Sequence, residues 1–550
     1  MKKVSLVSIV FLFTVQVFTF QVSALVDTKN ANYTKTFIDI SLPGAGLPLM
    51  IERTYNSRSL FKGMFGYGWC SNLETRLEVM PDNTLMIVEC GGGAEISYIS
   101  QGVKGSRSIL IGKIMSEVKK KKGLPKKYIK QVERDVKKSS LLQSELIRAF
   151  GLKGQAKSGQ TYQAVGRQND RIRFTGQKYI RTLPSGQMQV FDKKGLLIKE
   201  QDKSGNWISL QRKKGQLVKV MDNKGRSLTF KRKKEVLTVI GPNKLSAQYV
   251  IKEDNLIKVT NSKGEKYHHF YDNYHNLTKT RYPDNTYEAL TYNTDRDWVL
   301  SFKDRRGCKE NYKYVTNKRN RNHYWTDVRK KCGKRVTNIS RYEFWNKQKK
   351  DGSKYLYRAK QKVNGRITDI TYDMRTGSPL SVTRNRITTR YAYYENGFLK
   401  SRAQPGRTVL FSDYNNKCKK PKQVVVQYMQ GKRVSRQVKT QISYDPKKCH
   451  LAMAKQDSGR WVVVKRDHLG RIAEMRDQSK KRIVVAYNEK YSKPRKITRP
   501  GVGSIQVFYD QNGQVDTGRT QADPTVAAQV ASVFNGFLEI ISPVATDIII

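Results

Sequence analysis

The chain has 550 residues, of which only 38% are hydrophobic, and it carries a formal net charge of +59 at pH 7. Tyrosine is unusually frequent, with 30 residues against 19 phenylalanines. Aromatic enrichment at this low apolar content is typical of many half-buried strands and argues against helical domains with thick cores. The charge far exceeds what solubility requires, so we expect an anionic partner.

The first 24 residues have the pattern of a secretory signal peptide. Lys2 and Lys3 precede an apolar run from Val4 to Phe20. The segment Val22-Ser23-Ala24 then supplies small residues at the positions that signal peptidase requires. The alternative is an N-terminal membrane anchor, although the run is short for a bilayer span. No later segment reaches roughly 18 consecutive apolar residues. We therefore predict cleavage after Ala24 and a secreted, periplasmic or surface-exposed mature chain without a transmembrane segment.

Residues 25–103 are predicted to form an N-terminal β module that is not a plain repeat. Strand-like runs from Pro48 to Tyr55 and from Asn72 to Val79 flank a loop in which glycine alternates with aromatic residues. The alternating residues of this loop are Gly63, Phe65, Gly66, Tyr67, Gly68 and Trp69. We expect the glycines to permit tight turns while the aromatic rings pack inward.

A lysine-rich insertion follows over residues 104–160. From Arg107 to Phe150 the apolar period changes from two to about 3.6, which predicts two or three amphipathic helices, broken at Gly123–Pro125 and near Ser139. Lysine is dense on their polar faces, above all in the run Lys119, Lys120, Lys121 and Lys122. Such a run is either a solvated face or a surface that binds a membrane or a polyanion.

Residues 161–515 are organised by a short repeat that is clearest from Phe191 to Tyr292. Glycines at Gly195, Gly205, Gly215 and Gly225 close four-residue turns that read DKKG, DKSG, RKKG and DNKG. Asp at the first position and Gly at the fourth is the composition of a type I turn. Between the turns, apolar and polar residues alternate in the same phase, as strands that share one buried face require.

A second period of about twenty residues, formed by strand-end positions such as Tyr249, Tyr271 and Tyr292, overlies the first. Repeats of this length predict a continuous array in which each unit packs against its neighbours. The pattern returns as far as Tyr509, although it is degenerate over 300–350 and 415–440. In the last segment, 516–550, Asp523 and Pro524 begin a predicted amphipathic helix that caps the array. A membrane-binding tail is the alternative.

Two sets of residues resemble the Rhs and YD-repeat proteins. The first set is Gly46–Leu49, Arg53–Arg58 and Phe65–Trp69, and the second is the segment 271–287, YDNYHNLTKTRYPDNTY. The resemblance covers roughly residues 30–100 and 165–515, and the helical insertion is foreign to it. It implies a mainly β fold in which a repetitive sheet spirals into a shell or partial shell.

The same family often carries a self-cleavage motif that begins Asp-Pro-x-Gly and precedes a toxin domain. Asp445–Pro446 and Asp523–Pro524 contain the dipeptide, but neither is followed by the glycine. The resemblance therefore does not imply a toxin domain within this chain.

Six cysteines in an exported chain are expected to form disulfides. They fall as near neighbours, which are Cys70 with Cys90, Cys308 with Cys332, and Cys418 with Cys449. Sequential pairing is favoured because neighbouring units of an array are in contact. The sequence alone does not select the connectivity, and the alternative is that some cysteines remain buried thiols.

No segment matches a known catalytic or phosphate-loop motif, so we predict a protein without enzymatic activity, catalytic residues, cofactor or metal. His268, His269 and His275 lie close together, but no further ligand stands at a recognisable spacing. A surface or packing role is favoured for them. The recurrent turn aspartates are explained by turn geometry rather than by a glycosidase pair.

Basic residues are the remaining candidates for function. The predicted polyanion-binding residues are Lys193, Lys194, Lys203, Lys213, Lys214, Lys224, Lys231, Arg232, Lys233 and Lys234, together with Lys119, Lys120, Lys121 and Lys122. Because successive turns of a meander alternate between its edges, the turn residues are predicted to form two basic stripes. They indicate binding of an anionic polysaccharide or lipopolysaccharide of a cell envelope or matrix, with nucleic acid as second choice. The alternative function is a shell that encloses or delivers a separately encoded toxin.

Overall fold

The computed structural model describes residues 25–545 apart from 43, 45, 60, 91–93, 101–106, 122, 166, 168, 294, 349–353, 416, 489–492, 511–514, 517 and 521–522. The predicted signal peptide lies outside the described residues. The fold is mainly β, with a helical insertion and a C-terminal helix, which confirms the predicted fold class.

A small sheet is formed at the N-terminus. Its strands, in spatial order, are β1 (Leu25–Asp27), β2 (Asn32–Leu42), β3 (Leu49–Asn56) and β6 (Trp69–Cys70). Strands β4 (Lys62–Gly63) and β5 (Gly66–Tyr67) make a separate hairpin, and a 3₁₀ turn spans Asn72–Glu74.

All remaining strands belong to one large antiparallel sheet. They are β7 (Arg76–Val79), β8 (Leu85–Val88), β9 (Glu95–Ser100), β10 (Thr161–Ala164), β11 (Arg171–Phe174), β12 (Tyr179–Thr182), β13 (Met188–Phe191), β14 (Leu197–Gln201), β15 (Trp207–Lys213), β16 (Gln216–Asp222), β17 (Ser227–Lys233), β18 (Val236–Ile240), β19 (Ser246–Lys252), β20 (Asn255–Thr260), β21 (Lys266–Tyr271), β22 (Leu277–Arg281), β23 (Tyr287–Asn293), β24 (Trp298–Lys303), β25 (Lys309–Thr316), β26 (His323–Cys332), β27 (Arg335–Gln348), β28 (Lys354–Val363), β29 (Arg366–Tyr372), β30 (Pro379–Arg384), β31 (Ile387–Tyr393), β32 (Leu399–Gln404), β33 (Arg407–Tyr414), β34 (Pro421–Gln430), β35 (Arg433–Tyr444), β36 (Leu451–Gln456), β37 (Trp461–Arg466), β38 (Ile472–Asp477), β39 (Arg482–Tyr487), β40 (Pro494–Arg499) and β41 (Gly503–Gln506). Residues 76–100, which the sequence places in the N-terminal module, therefore belong to the large sheet.

The first strands of the large sheet close into a ring. Strands β7 to β14 pair in chain order, and Arg76 forms a bridge to Leu196 at the start of β14. The Leu77 amide donates to the Gly195 carbonyl at 2.8 Å. A Cβ at Gly195 would lie 1.9 Å from the Leu77 carbonyl oxygen, so glycine is required at this closure. Strands β15 to β41 continue the sheet away from the ring through successive hairpins.

The turns of the repeat are of two kinds. At Asp192 the carboxylate accepts the amides of Lys194 and Leu196 at 2.9 Å, and Gly195 has φ of 82°, as a type I turn with a terminal glycine predicts. The RKKG turn differs, because Lys214 and Gly215 both have positive φ in a two-residue loop. That geometry is typical of a type I′ hairpin, so the type I prediction is wrong there.

Tyrosines at strand ends tie each hairpin to the preceding one. The hydroxyl of Tyr271 donates to the carbonyl of Leu256 at 2.9 Å, and Tyr292 makes the same bond to Leu277. The further tyrosines of this ladder are Tyr314, Tyr393, Tyr414, Tyr444, Tyr487 and Tyr509. Tyr314 and Tyr444 extend this ladder into the two regions in which the sequence pattern is degenerate.

Four helices complete the described fold. They are α1 (Arg107–Lys120), α2 (Lys126–Lys138), α3 (Ser140–Ala149) and α4 (Pro524–Ala545). Helices α1 to α3 share a core with Met80 and Met86, next to the ring strands. Helix α4 buries Val530, Phe534 and Phe537 against the last strands of the sheet.

The large sheet has one inner face, which we define as the face that carries the N-terminal sheet. The N-terminal sheet covers it through β26 and part of β27, and α4 covers it at β34 and from β36 to β41. No residue of strands β28 to β32 is fully buried, and all residues of these five strands are described. The inner face is therefore open between its two covers.

All six cysteines are paired in sequential order. The disulfides are Cys70–Cys90, Cys308–Cys332 and Cys418–Cys449. The last of them joins two turns at one edge of the sheet, between β33 and β34 and between β35 and β36.

Candidate binding surfaces

The N-terminal sheet is attached to the inner face by the motif residues of the sequence. The Leu277 amide donates to the Tyr55 hydroxyl at 2.9 Å, and Trp69 Nε1 donates to the Tyr271 hydroxyl at 2.8 Å. The Tyr67 amide donates to the Asp254 carbonyl at 2.7 Å. Phe65 and Trp69 are fully buried, which confirms that these rings pack inward.

A buried ion pair lies in the same interface. Arg53 Nε donates to Asp39 Oδ2 at 2.7 Å, and both side chains are almost completely excluded from solvent. The guanidinium stacks over Phe37 and Trp69. Burial, and then the charge of Arg53, lower the pKa of His269 well below its ordinary value, so this ring stays neutral. Its two ring nitrogens lie within hydrogen-bond distance of Arg53 and Thr280. His269 is thus a packing residue.

A cavity of about 470 Å³ also opens at this interface. Its charged groups neutralise one another, because Lys35 pairs with Glu288 at 3.0 Å and Lys330 pairs with Glu310 at 2.9 Å. Burial and Glu288 raise the pKa of Tyr33 well above its ordinary value, so its hydroxyl keeps its proton and donates to Glu288. We interpret the cavity as part of a structural network.

One basic stripe of the sequence prediction lies along a single rim of the large sheet. The turns from β13 to β14, from β15 to β16 and from β17 to β18 are on this rim. Its exposed lysines are Lys193, Lys194, Lys213, Lys214, Lys231, Lys233 and Lys234. Arg232 differs, because its guanidinium donates to the Met64 carbonyl and fastens the rim to the N-terminal module.

The second stripe is not as predicted. On the opposite rim Lys224 is exposed, but Lys203 is half-buried in a cleft. Lys244 and Lys263, which the sequence prediction omitted, are exposed in the following turns of this rim. The regular placement of turns in alternating hairpins is the signal that could have identified them.

The lysines of the helical insertion face solvent. Lys119, Lys120 and Lys121 are exposed at the end of α1, and Lys120 pairs with Glu117 at 2.6 Å. Lys122 lies outside the described residues. These lysines are far from the rim stripe in the chain and belong to a separate solvated face.

The open inner face is a surface that the sequence prediction missed. Successive cross-strand pairs place five residues on the inner face of β27 to β31, which are Phe344, Ala359, Ile370, Val382 and Thr389. Ile387, on the same face, is 58% exposed. Alternation alone predicts a buried face here as elsewhere, because periodicity reports that a face is apolar but not whether anything covers it.

A cleft of about 380 Å³ separates two distant parts of the large sheet. One wall is formed by the ring turns at Leu183–Gly186 and Asp202–Gly205, and the other by Lys417–Lys420 and Lys447–Cys449. The sequence prediction placed Lys203 in a basic stripe and did not include the late lysines, because their distance along the chain hides their proximity.

Among the described residues no group of three or more His, Cys, Asp and Glu side chains is placed to hold a metal ion.

Helix α4 is long and apolar enough over Pro524–Ile541 to cross a membrane by length and composition alone. Its apolar face is nevertheless packed on the sheet, with Phe537 1% exposed, as the capping interpretation predicts.

A family model described as a domain of unknown function, DUF6531, matches residues 25–98. The match includes the motifs Gly46–Leu49, Arg53–Arg58 and Phe65–Trp69. Together with the continuous repeat sheet, it is consistent with a β protein of the Rhs and YD-repeat kind. No curated protein matches the chain.

Solved structures similar to this chain include TcdB2-TccC3, with 12% sequence identity and a TM-score of 0.31 over 64% of this chain and 23% of that one. The Photorhabdus luminescens Tc holotoxin pore is 10% identical, with a TM-score of 0.31 over 90% of this chain and 32% of that one. The chain thus spans about a quarter to a third of their length. Because these identities and TM-scores are low, the fold described above rests on the strand pairing of this chain and not on these similarities.

Proposed function

We propose that this chain is an exported, non-enzymatic shell protein that holds an acidic polypeptide on the open inner face of strands β28 to β32. The observation that carries the proposal is the absence of any buried residue in those five strands, all of which are described. Elsewhere the same face is covered by the N-terminal sheet or by α4, or it is buried in a separate apolar cluster on β33 to β35. A sheet that leaves both faces uncovered exposes apolar surface that a partner would bury.

The chemistry of the open face favours an acidic partner. Residues 354–404, which contain these five strands, have eleven lysines and arginines but only three carboxylates, Asp369, Asp373 and Glu395. Arg366 and Arg384 lie on the inner face by register and are exposed. Tyr391 and Tyr393 stand on the same face and supply aromatic surface. A polypeptide rich in carboxylates and aromatic rings would satisfy both features.

A separately encoded toxin is one polypeptide that such a shell would hold. Export is part of the proposal and is supported by the signal-like first 24 residues and by three disulfides. Peptide mapping without reduction should recover all three disulfides from the exported protein. Six alkylatable thiols would contradict export to an oxidising compartment.

Binding can be tested with a labelled random copolymer of glutamate and tyrosine. Its affinity for the intact protein is measured by fluorescence anisotropy at about 0.15 M salt, where the screening length is about 8 Å. We expect the double substitution R366Q/R384Q on the inner face to weaken binding about tenfold, which corresponds to about 1.4 kcal/mol.

The matched control is K362Q/R390Q, which removes the same charge from the outer face of the two adjacent strands, β28 and β31. It should bind the copolymer nearly as well as the original chain. Equal weakening in both variants would mean that net charge alone attracts the copolymer, and absence of binding to the original chain would refute the proposal.

Binding of an anionic polysaccharide or lipopolysaccharide is a second candidate, favoured by the exposed lysines on one rim. Lys213, Lys214, Lys231, Lys233 and Lys234 are exposed there. Counterion release predicts that log affinity for heparin falls linearly with log salt. Changing these five lysines to Gln should lower the salt concentration that elutes the protein from heparin, whereas R366Q/R384Q should not. Unchanged elution would exclude this rim.

A further inference from the structure

The cleft between the ring and the late strands has the features of an oxyanion site, and it is independent of the proposed shell function. Its two walls are in direct contact at one end. A Cβ at Gly470 would lie 2.4 Å from Ser204 Oγ and 3.1 Å from His450 Nε2, so the late turn approaches the ring turn closely. The disulfide Cys418–Cys449 joins the two late turns that form the far wall.

Cations converge on this cleft from both walls. Lys203 comes from the ring side, whereas Lys420 and Lys448 come from the late side. Arg466 and His450 lie behind them, and the charge of Arg466 acts on both Lys420 and His450. Lys420 Nζ donates to the Cys449 carbonyl at 3.3 Å, and Lys448 Nζ donates to the His468 carbonyl at 3.1 Å. Since an ammonium group has three donors, these bonds leave further donors for a ligand.

The carboxylates of the cleft are occupied by their own turns. Asp202 accepts the amides of Ser204 and Asn206 at 2.8 and 2.9 Å. Asp445 accepts the amides of Lys447 and Lys448 in the same way. Asp202 attracts Lys203 electrostatically, but among the described residues no carboxylate forms an ion pair with Lys203, Lys420 or Lys448 at 4.0 Å or less.

The clustering shifts the pKa of two groups at the cleft. Burial, and then the charges of Lys203 and Arg466, lower the pKa of Lys420 to about 8. Burial and the four neighbouring cations lower the pKa of His450 to about 4. Arg466 Nε and His450 Nε2 are buried and have no hydrogen-bond partner among the described residues. Partly buried like charges without a counterion are unfavourable, so a bound anion would relieve them.

We propose that this cleft binds a phosphate or sulfate group through Lys203 on one wall and Lys420 on the other. Charge-assisted hydrogen bonds from two walls would hold the tetrahedral oxygens. Because the walls belong to the ring and to the late strands, the anion would join two parts of the large sheet that no strand pairing connects. The group can belong to an inorganic ion or to a phosphate monoester of a sugar.

The test measures thermal unfolding of the oxidised full chain with increasing inorganic phosphate, against sodium chloride at matched ionic strength. At about 100 times the dissociation constant we expect Tm to rise by about 3 °C. In K203Q/K420Q the rise should fall to less than about a third of that value. The control K309Q/K313Q, which removes two exposed charges from β25 outside the cleft, should keep the full response. Equal responses to phosphate and chloride, or in both variants, would overturn the proposal.

A second measurement uses only the unmodified chain, so it is valid even if K203Q/K420Q does not fold. Phosphate should slow acetylation of Lys203 and Lys420 about fivefold relative to the exposed Lys309, as followed by peptide mass spectrometry. No selective protection would overturn the site. Glucose 6-phosphate is compared with inorganic phosphate in the same assay, and the stronger protector identifies whether an ester or the free ion is preferred.

Discussion

The covered and open parts of the inner face are built from the same repeat but differ in burial. In the covered part, Leu277 is fully buried and its carbonyl accepts from Tyr292. In the open part, Leu399 occupies the equivalent place and its carbonyl accepts from Tyr414, but it is only half-buried. The backbone and the tyrosine ladder are thus maintained without a cover. The comparison teaches that pairing depends on the repeat, whereas burial depends on what packs over it.

The largest expected effect tests the cover itself. Arg53→Ala leaves Asp39 buried without a counterion, so the free energy of unfolding should fall by about 3–5 kcal/mol. Arg384→Ala, on the open face, should change it by no more than about 0.5 kcal/mol. Urea denaturation of both variants measures the difference. Similar values would show that the N-terminal sheet is not held by this ion pair.

The next effect compares equivalent apolar residues. Leu277→Ala should destabilise the protein by about 2–5 kcal/mol because it leaves a cavity under the N-terminal sheet. Leu399→Ala should cost less than half of that, since the side chain already contacts solvent in part. Thermal unfolding of the pair measures both. Equal losses would indicate that a cover also lies over Leu399 in solution.

A smaller effect concerns the tyrosine ladder. Tyr292→Phe removes a hydroxyl that donates to the buried Leu277 carbonyl and should cost about 1–2 kcal/mol. Tyr414→Phe should cost about 0.5 kcal/mol, because water can reach the Leu399 carbonyl more readily. The free energies of unfolding in urea distinguish these values. A larger loss for Tyr414→Phe would invert the comparison.

The smallest effect is the pH dependence at the cleft. Lys420, which faces Lys203, Lys448, Arg466 and His450, has a folded pKa of about 8, below the ordinary lysine value. Above that pH the unfolded state binds more protons than the folded state, so stability should rise as pH increases from 7 toward 10. The Tm of the original chain should therefore rise relative to that of K420Q over pH 7–9 in phosphate-free buffer. Parallel profiles would contradict this.

Much of the fold follows from local chemistry and was predictable from the sequence. Asp192 and Gly195 specify a turn through bonds within five residues, and alternation places Leu210 and Val220 on one face. The helices of the insertion and the inward packing of Phe65 and Trp69 follow in the same way from period and glycine placement.

The sequence by itself thus determined the strands, most turns, the helices and the basic charge, because each depends on neighbours along the chain. Tertiary structure alone decided that Arg232 fastens a rim, that Lys203 faces Lys420 across a cleft, and that strands β28 to β32 have no cover. These features depend on which distant segments meet when the sheet curves. Periodicity contains no information about those long-range contacts, since the same alternating pattern is compatible with any element that packs on the apolar face.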